Sequence, residues 1–351
     1  MDMRADLPNR VLVVRAGALG DTLMVTPLIR ALHNADAATE IDFLCSAAGA
    51  ELLTSNPRLS RLITLRFRNL PYLLSLEKHA LVRHIRSRRY TFAILLESAP
   101  QYRDLLQRAK VPEIRDFATH AFDPATHSIV NNLNVAGLRN ADPDSLQMEF
   151  PVTATAMQSA TEMLHGLPRP IIGIHPGYGP ASKKKRKVNR LRAWTTENFA
   201  QVAAHLTARG ASVVLTGSAQ DVEACNAISR NVRTEHSRIA AGKTDIQTLG
   251  ALIRSFDLLI SVDSGPAHIA AAVCTPLVVL WGPGILAQTR PISACSPVSI
   301  LQVAVPCAPC YGTPIMKTCE RNVCMQFITP EEVIRAATAL LNQPALTVLR
   351  S

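Results

Sequence analysis

The sequence predicts an α/β protein built from two doubly wound parallel sheets. Three observations carry that expectation. Apolar runs of strand length alternate with stretches of helix length, the pattern of βαβ units. The alternation breaks once, at Pro168-Arg169-Pro170, and then restarts. Several apolar runs end in glycine beside a polar or aromatic residue, and open α/β sheets bind ligands outside the carboxyl ends of their strands. A chain of 351 residues also exceeds the usual single domain.

Taken in order, Arg10–Arg15 reads as a short buried strand, followed by a loop over residues 16–21 and a helix from Thr22 to about Asn34. Strands recur at Ile41–Cys45, Leu62–Leu65 and Phe92–Leu96, with helical stretches at Ala48–Thr54 and Tyr72–Arg89. After the prolines come strand Ile171–His175, helix Thr196–Arg209, strand Ala211–Thr216 and helix Gln220–Arg230. Helix Asp245–Arg254, strand Asp257–Val262, helix Pro266–Val273 and strand Pro276–Leu280 complete the second unit. Pro330–Leu341 has helical periodicity, with Pro330 in its first turn and Glu331 and Glu332 placed to favour the helix dipole. The domains expected are 1–167 and 168–351, with a cleft lined by the carboxyl ends of both sheets.

Composition narrows the classes. With 48% hydrophobic and 18% charged residues, the chain has ample core and is not disordered. Its apolar runs fall far short of the ~18–20 residues that span a bilayer. The opening MDMRADLPNR lacks the apolar core of a signal peptide. The expectation is a soluble, cytoplasmic protein.

The net charge of +10 is concentrated. Lys183, Lys184, Lys185, Arg186, Lys187, Arg190 and Arg192 supply seven positive charges, and without them the chain is near +3. A second cluster comprises Lys78, Arg83, Arg86, Arg88 and Arg89. Either suits an acidic ligand or an anionic membrane surface, and the plain alternative is a solvated loop and a solvated helix face.

The chemistry gathers at strand ends. Gly17 and Gly20 flank a strand-to-helix turn ending in Asp21. This is not GxGxxG, and no convincing ribose-binding acid beyond Asp42 ends the second strand, so a dinucleotide site is poorly supported. Asp21 suits either an N-cap or a general base, and spacing alone leaves both open. In the second half, His175-Pro176-Gly177, Gly217-Ser218 with Asp221, Asp263-Ser264-Gly265 and Trp281-Gly282-Pro283 end four strands. Together they outline one ligand site, with backbone donors for phosphate and acids for ribose.

These residues resemble glycosyltransferase family 9, the ADP-heptose:lipopolysaccharide heptosyltransferases, over nearly the whole chain. VLVVRAGALGDTLMVTPLIRAL resembles the N-terminal motif of the family. IIGIHPG, RAWTTENFAQVAAHL, VVLTGS, SVDSGPAHIAAA, VLWGPG and CMQFITPEEV are similar to its donor domain, in order. The resemblance implies a GT-B fold of two Rossmann-like domains, the first binding acceptor and the second nucleotide-sugar. It implies inverting transfer that requires no metal, with ADP-heptose as donor and a lipid-linked or phosphorylated sugar as acceptor. Asp21 takes the position of the catalytic base. Asp263 would hold sugar hydroxyls, Ser264 and Gly265 would face the diphosphate, and His268 would add a hydrogen bond. His175, Gly177, Arg192, Gly217, Ser218, Asp221 and Gly282 complete the donor set, and Gly17, Gly20, Lys184 and Arg186 the acceptor or anion contacts.

The chain departs from the family pattern where Lys-Arg-Trp-Pro becomes Arg192-Ala193-Trp194-Thr195 after a long basic loop, and where Gly284 replaces a common Thr. That loop reads KKKRKV, which suits a diphosphate clamp or a phosphorylated lipid acceptor. A solvated loop and a targeting signal are the alternatives, and nothing else suggests a nucleic-acid partner. Cys307, Cys310, Cys319 and Cys324 are spaced for a structural zinc or iron site, as in heptosyltransferases that modify proteins, or for a reduced, metal-free loop. Cys45, Cys225, Cys274 and Cys295 read as scattered small core residues. Alternative functions are transfer from another nucleotide-sugar or to a protein, and non-catalytic binding of a sugar-nucleotide or nucleic acid.

Overall fold

A computed structural model describes residues 10–66, 70–90, 92–138, 146–177, 190–230 and 232–343. The chain divides into two compact units, Met1–Pro151 and Val152–Ser351. The first contains β1 (Arg10–Val14), α1 (Leu19–Leu23), α2 (Thr26–Ala35), β2 (Glu40–Cys45), α3 (Ala47–Leu53) and β3 (Arg61–Thr64). It continues with α4 (Leu76–Arg88), β4 (Phe92–Leu95), α5 (Pro100–Arg108), β5 (Glu113–Asp116) and α6 (Ser128–Val135). All its strand pairs are parallel, in the order β3-β2-β1-β4-β5.

The second unit runs α7 (Ala154–Leu164), β6 (Ile171–His175), α8 (Thr196–Ala208), β7 (Ser212–Leu215), α9 (Val222–Ser229) and β8 (Ser237–Ile239). There follow α10 (Ile246–Ser255), β9 (Leu258–Val262), α11 (Gly265–Ala272), β10 (Leu277–Trp281), α12 (Leu286–Thr289) and β11 (Val298–Gln302). Helices α13 (Pro314–Thr318), α14 (Val323–Gln326) and α15 (Pro330–Leu341) close the chain. Its parallel sheet has the order β11-β10-β9-β6-β7-β8. In both sheets the first strand of the unit lies inside and the chain winds outward from it in both directions. Each sheet therefore has a switch point, between β1 and β4 and between β6 and β9.

Every residue of β4, β6, β7, β9 and β10 is buried. Helices on both faces explain why these strands read as unbroken apolar runs. No helix among the described residues is long and apolar enough to cross a membrane.

Several elements differ from the sequence expectation. The first helix is two, α1 and α2. Pro27 has no N–H to continue a ladder from α1, and the helix restarts with proline in its first turn. The edge strands β5, β8 and β11 are only half buried and lack apolar runs, so periodicity missed them. The first unit ends before the prolines because α7 packs along α10 of the second. The backbone N–H of Thr153, which caps α7, donates to the Gln247 side chain at 3.3 Å.

Cys274 and Cys295 are not scattered core thiols: they are bonded to each other, with Cα atoms 5.3 Å apart. The contact is non-local, tying the end of α11 to the loop before β11, and no spacing rule signals it. Asp42 is no ribose acid either. It is fully buried near the start of β2, paired with Arg88 at 2.9 Å and bonded by the Tyr90 hydroxyl. Arg88 also reaches Glu40 at 2.7 Å, and Arg10 meets the same carboxylate at 2.8 Å.

Gly173, in the middle of β6, marks a close approach of the end of α10 to the sheet. A Cβ there would lie 2.3 Å from ring atoms of Phe256, which follows α10. Gly173→Ala is expected to destabilise the chain by about 1–3 kcal/mol through overpacking. Adding Phe256→Leu should recover part of that loss in a denaturant-melt double-mutant cycle. Additive losses would show that Phe256 is not the obstacle.

Candidate functional site

The polar groups of the second unit collect at the carboxyl ends of β6, β7, β9 and β10. His175 ends β6 and is buried, with its Nδ1 2.9 Å from the Thr216 hydroxyl beyond β7. Burial lowers the His175 pKa from 6.5 to about 4, opposed by the Asp221 carboxylate and the Gly177 backbone. Asp221 folds back on its own turn, accepting from the Ser218 N–H at 2.8 Å and the Ser218 hydroxyl at 2.6 Å. Glycine is required on both sides of that carboxylate. A Cβ at Gly177 would lie 2.1 Å from Asp221 Oδ1, and one at Gly217 2.7 Å from Asp221 Cβ. His175, Gly177, Gly217, Ser218 and Asp221 are thus brought together from the two loops that follow β6 and β7.

Asp263 follows β9, across the switch point. Its side chain is 8% exposed and stands 3.6 Å from Arg192 Nε, whose Nη1 donates to the Asp263 carbonyl at 3.5 Å. Burial pushes the Asp263 carboxyl up, and the nearby guanidinium works against that shift. Ser264 occupies the N-cap of α11 without capping it; its hydroxyl instead pairs with Ser261 at 3.1 Å. Gly265 opens that helix and His268 is buried within its first turns.

Trp281 ends β10, and its Nε1 donates to the Gly284 carbonyl at 3.0 Å. A Cβ at Gly284 would lie 2.8 Å from Asp263 Oδ2 and 3.0 Å from the indole, so a threonine there would collide with both. Gly282 is equally confined, by Met325 at 2.5 Å from an added Cβ.

The cysteine segment braces this turn. The N–H groups of Cys310 and Tyr311 donate to the Pro283 carbonyl at 3.1 and 3.0 Å. The Tyr311 ring lies 4.8 Å from the Arg192 guanidinium. The Asn322 amide donates to Ala193 and Leu191 carbonyls at 2.7 and 3.3 Å, and Trp194 Nε1 to Ile328 at 2.9 Å. Tyr311 and Asn322 were not singled out from sequence, because a stacking ring and a bridging amide carry no local pattern.

All four clustered cysteines line one cavity. Burial raises the Cys310 thiol, and that of Cys324 to about 11, with the neighbouring cysteines adding to both shifts. Among the described residues, no three His, Cys, Asp or Glu side chains form a group that could hold a metal ion. As placed, the cysteines do not fit the metal site that their spacing suggests.

In the first unit, Asp21 is the third residue of α1 and not its N-cap. Its carboxylate accepts from the Ala18 N–H at 3.1 Å and pairs with Arg15 at 2.9 Å. Arg15 also donates to the Leu96 carbonyl and lies 4.0 Å from Glu97, whose carboxylate accepts from the Ala16 N–H at 2.7 Å. Arg15 and Glu97 follow β1 and β4, the pair that forms the switch point. Neither was anticipated: each is a lone charge after an apolar strand. Gly17 is held small by Asp21, whose Oδ2 would lie 2.7 Å from an added Cβ. Gly20 is buried in α1. Lys184 and Arg186 lie outside the described residues.

Comparison with known proteins follows the same outline. Residues 79–318 match glycosyltransferase family 9 (heptosyltransferase). Lipopolysaccharide heptosyltransferase 3 of Escherichia coli is 31% identical over 285 residues, covering 75% of this chain and 80% of that protein. A crystal structure of a family 9 glycosyl transferase from Veillonella parvula superposes with a TM-score of 0.79 at 22% identity, covering 96% and 98% of the two chains. The ADP-heptose lps heptosyltransferase II of E. coli superposes at 0.75 with 24% identity, covering 95% and 98%. The shared fold is GT-B, with two parallel-sheet α/β domains.

The depressed pKa of His175 makes acid stability measurable. The unfolded imidazole takes a proton near pH 6.5 and the folded one only near 4, so the His175 contribution is intact above pH 6.5. It is lost progressively as pH falls from 6.5 towards 4, by on the order of 3 kcal/mol. His175→Gln should narrow the gap between urea midpoints measured at pH 7 and pH 4.5. An unchanged gap would assign the acid sensitivity elsewhere.

Proposed function

The chain belongs to glycosyltransferase family 9, and from that membership we propose that it moves a heptose from ADP-heptose to a lipopolysaccharide core acceptor, with inversion and without a catalytic metal. That it is a glycosyltransferase follows from the family itself. The likeness to lipopolysaccharide heptosyltransferase 3 over three quarters of the chain carries the choice of sugar and acceptor.

In this reading the second unit binds donor and the first binds acceptor. The diphosphate takes the turns after β6, β7 and β9, where glycines let backbone approach and α11 offers its N-terminus. Arg192 supplies a fixed guanidinium to the charge that develops on the leaving ADP, a preorganised stabilisation that needs no movement during reaction. Asp263 holds sugar hydroxyls.

Asp21 performs the proton transfer. Its carboxylate takes the acceptor hydroxyl proton as that oxygen bonds to the anomeric carbon. The bond from the anomeric carbon to the ADP oxygen breaks on the opposite face, and its electron pair leaves with ADP. Arg15 aims the carboxylate, and Glu97 positions Arg15. General-base assistance of this kind contributes roughly 10²–10⁴-fold.

Purified protein with ADP-heptose and a heptose-deficient lipopolysaccharide acceptor should release ADP. Asp21→Asn should cut the rate of release by about 10²–10⁴-fold while ADP affinity, measured by calorimetry, stays within about twofold. Full transfer by the variant would remove Asp21 from the mechanism. Release of another nucleotide across a donor panel, with none from ADP-heptose, would overturn the choice of donor.

A further inference from the structure

The most exposed apolar side chains of the described residues cluster in one stretch between β3 and α4. Leu73, Leu74 and Leu76 are 83%, 72% and 88% exposed, with Leu70 beside them, all within one short stretch before and into α4. Isolated exposed leucines need no explanation, but four within seven residues make a contiguous apolar patch.

The stretch is anchored, so the leucines are held outward. Tyr72–Leu74 form a single 3₁₀ turn after Pro71, and Ser75 caps α4 by accepting from the Lys78 N–H at 3.2 Å. The Lys78 ammonium is buried and donates to the Leu70 carbonyl. The Tyr72 ring lies between His79, at 4.2 Å, and the Arg108 guanidinium, at 4.4 Å. With the tyrosine held against His79 and Arg108, Leu73, Leu74 and Leu76 are left largely exposed.

The surroundings are cationic. Leu76, Ala80, Arg83 and Ser87 recur on one face of α4 at helical spacing, and all but Leu76 continue the patch as small or charged groups. Arg66, Arg83, Arg86 and Arg89 are exposed, and none of the four makes an ion pair among the described residues. Of the neighbouring acids, Glu77 accepts from the Arg66 N–H at 2.8 Å and Asp104 is paired with Arg108 at 2.8 Å.

We infer that the leucine turn and the arginine side of α4 form a docking surface for an anionic lipid bilayer. An exposed apolar turn suits insertion at the boundary between headgroups and acyl chains, where burial of leucine is favourable. Cations on either side then meet lipid phosphates without leaving water, and their attraction fades with salt. A complementary protein would need an apolar groove with an acidic rim; a bilayer of anionic lipid offers both properties everywhere. The surface does not depend on the donor or acceptor assignments.

The test uses the full chain and vesicles that contain no acceptor. Protein should co-sediment with phosphatidylethanolamine–phosphatidylglycerol vesicles, bind phosphatidylcholine vesicles at least about tenfold more weakly, and release at high salt. Replacing Leu73, Leu74 and Leu76 together by serine should weaken binding to the anionic vesicles by at least about tenfold with melting unchanged, because the three make no core contacts. Arg83→Ser with Arg86→Ser should weaken binding and flatten its salt dependence. Should the triple variant fail to fold, Leu73→Ser alone should still show a measurable loss. Failure of the parent protein to bind anionic vesicles, or binding by the leucine and arginine variants as tight as the parent's, would overturn the inference. So would light scattering in which the parent is a dimer and the leucine variant a monomer, since the patch would then bury a second copy.

Discussion

Parallel strands covered by helices on both faces leave no place for polar side chains along their length. In this chain every residue of β4, β6, β7, β9 and β10 is buried, and the polar exceptions within them are Ser212, Ser261 and the strand-ending His175. Polar chemistry is therefore driven to the strand ends, and the winding order decides which ends lie side by side. His175 and Asp263 follow adjacent strands because the second sheet reverses direction between β6 and β9. Arg15 and Glu97 meet because the first sheet reverses between β1 and β4. The candidate site residues are a consequence of topology before they are a matter of chemistry.

Within the second unit, Arg192 is where the pieces join. It touches the Asp263 carboxylate and carbonyl on one side and the Tyr311 ring on the other. Its neighbours along the chain are held by Asn322 and Ile328, from the C-terminal segment. The same segment clasps Pro283, and thus the turn that confines Asp263 through Gly284. The cysteines sit in the middle of this brace. Cys310 and Cys324 are buried in it, while Cys307 is exposed and Cys319 partly so.

How much was legible in the sequence follows from what leaves a local trace. The central strands, the strand-end glycines and Asp263 announce themselves by apolar runs that stop abruptly. The doubly wound parallel class of both sheets follows from alternation, while their strand order comes from the structure. Three kinds of feature were not readable. Edge strands such as Glu113–Asp116 are half wet and look like loops. The Cys274–Cys295 bond and the Tyr311–Arg192 stack join residues distant in sequence. The leucine turn before α4 was read as the start of a helix, because its apolar residues imitate a buried face. Only its exposure separates it from core.

Two carboxylates are proposed to share the work of the reaction, and their surroundings support dividing it. A base must meet an incoming hydroxyl and later pass its proton to water. The Asp21 side chain is 33% exposed, and Arg15 contacts one of its oxygens while the Ala18 N–H holds the other. That fixes its direction without sealing it off. The Asp263 side chain is 8% exposed and sits under Arg192 and Gly284, with a carboxyl that burial pushes toward the neutral form. Such a group is poorly placed to turn over protons and well placed to hold a hydroxyl in a dry pocket, where a hydrogen bond gains most from the absence of water. The carboxylate that retains access to solvent is the better base, and the buried one the better clamp.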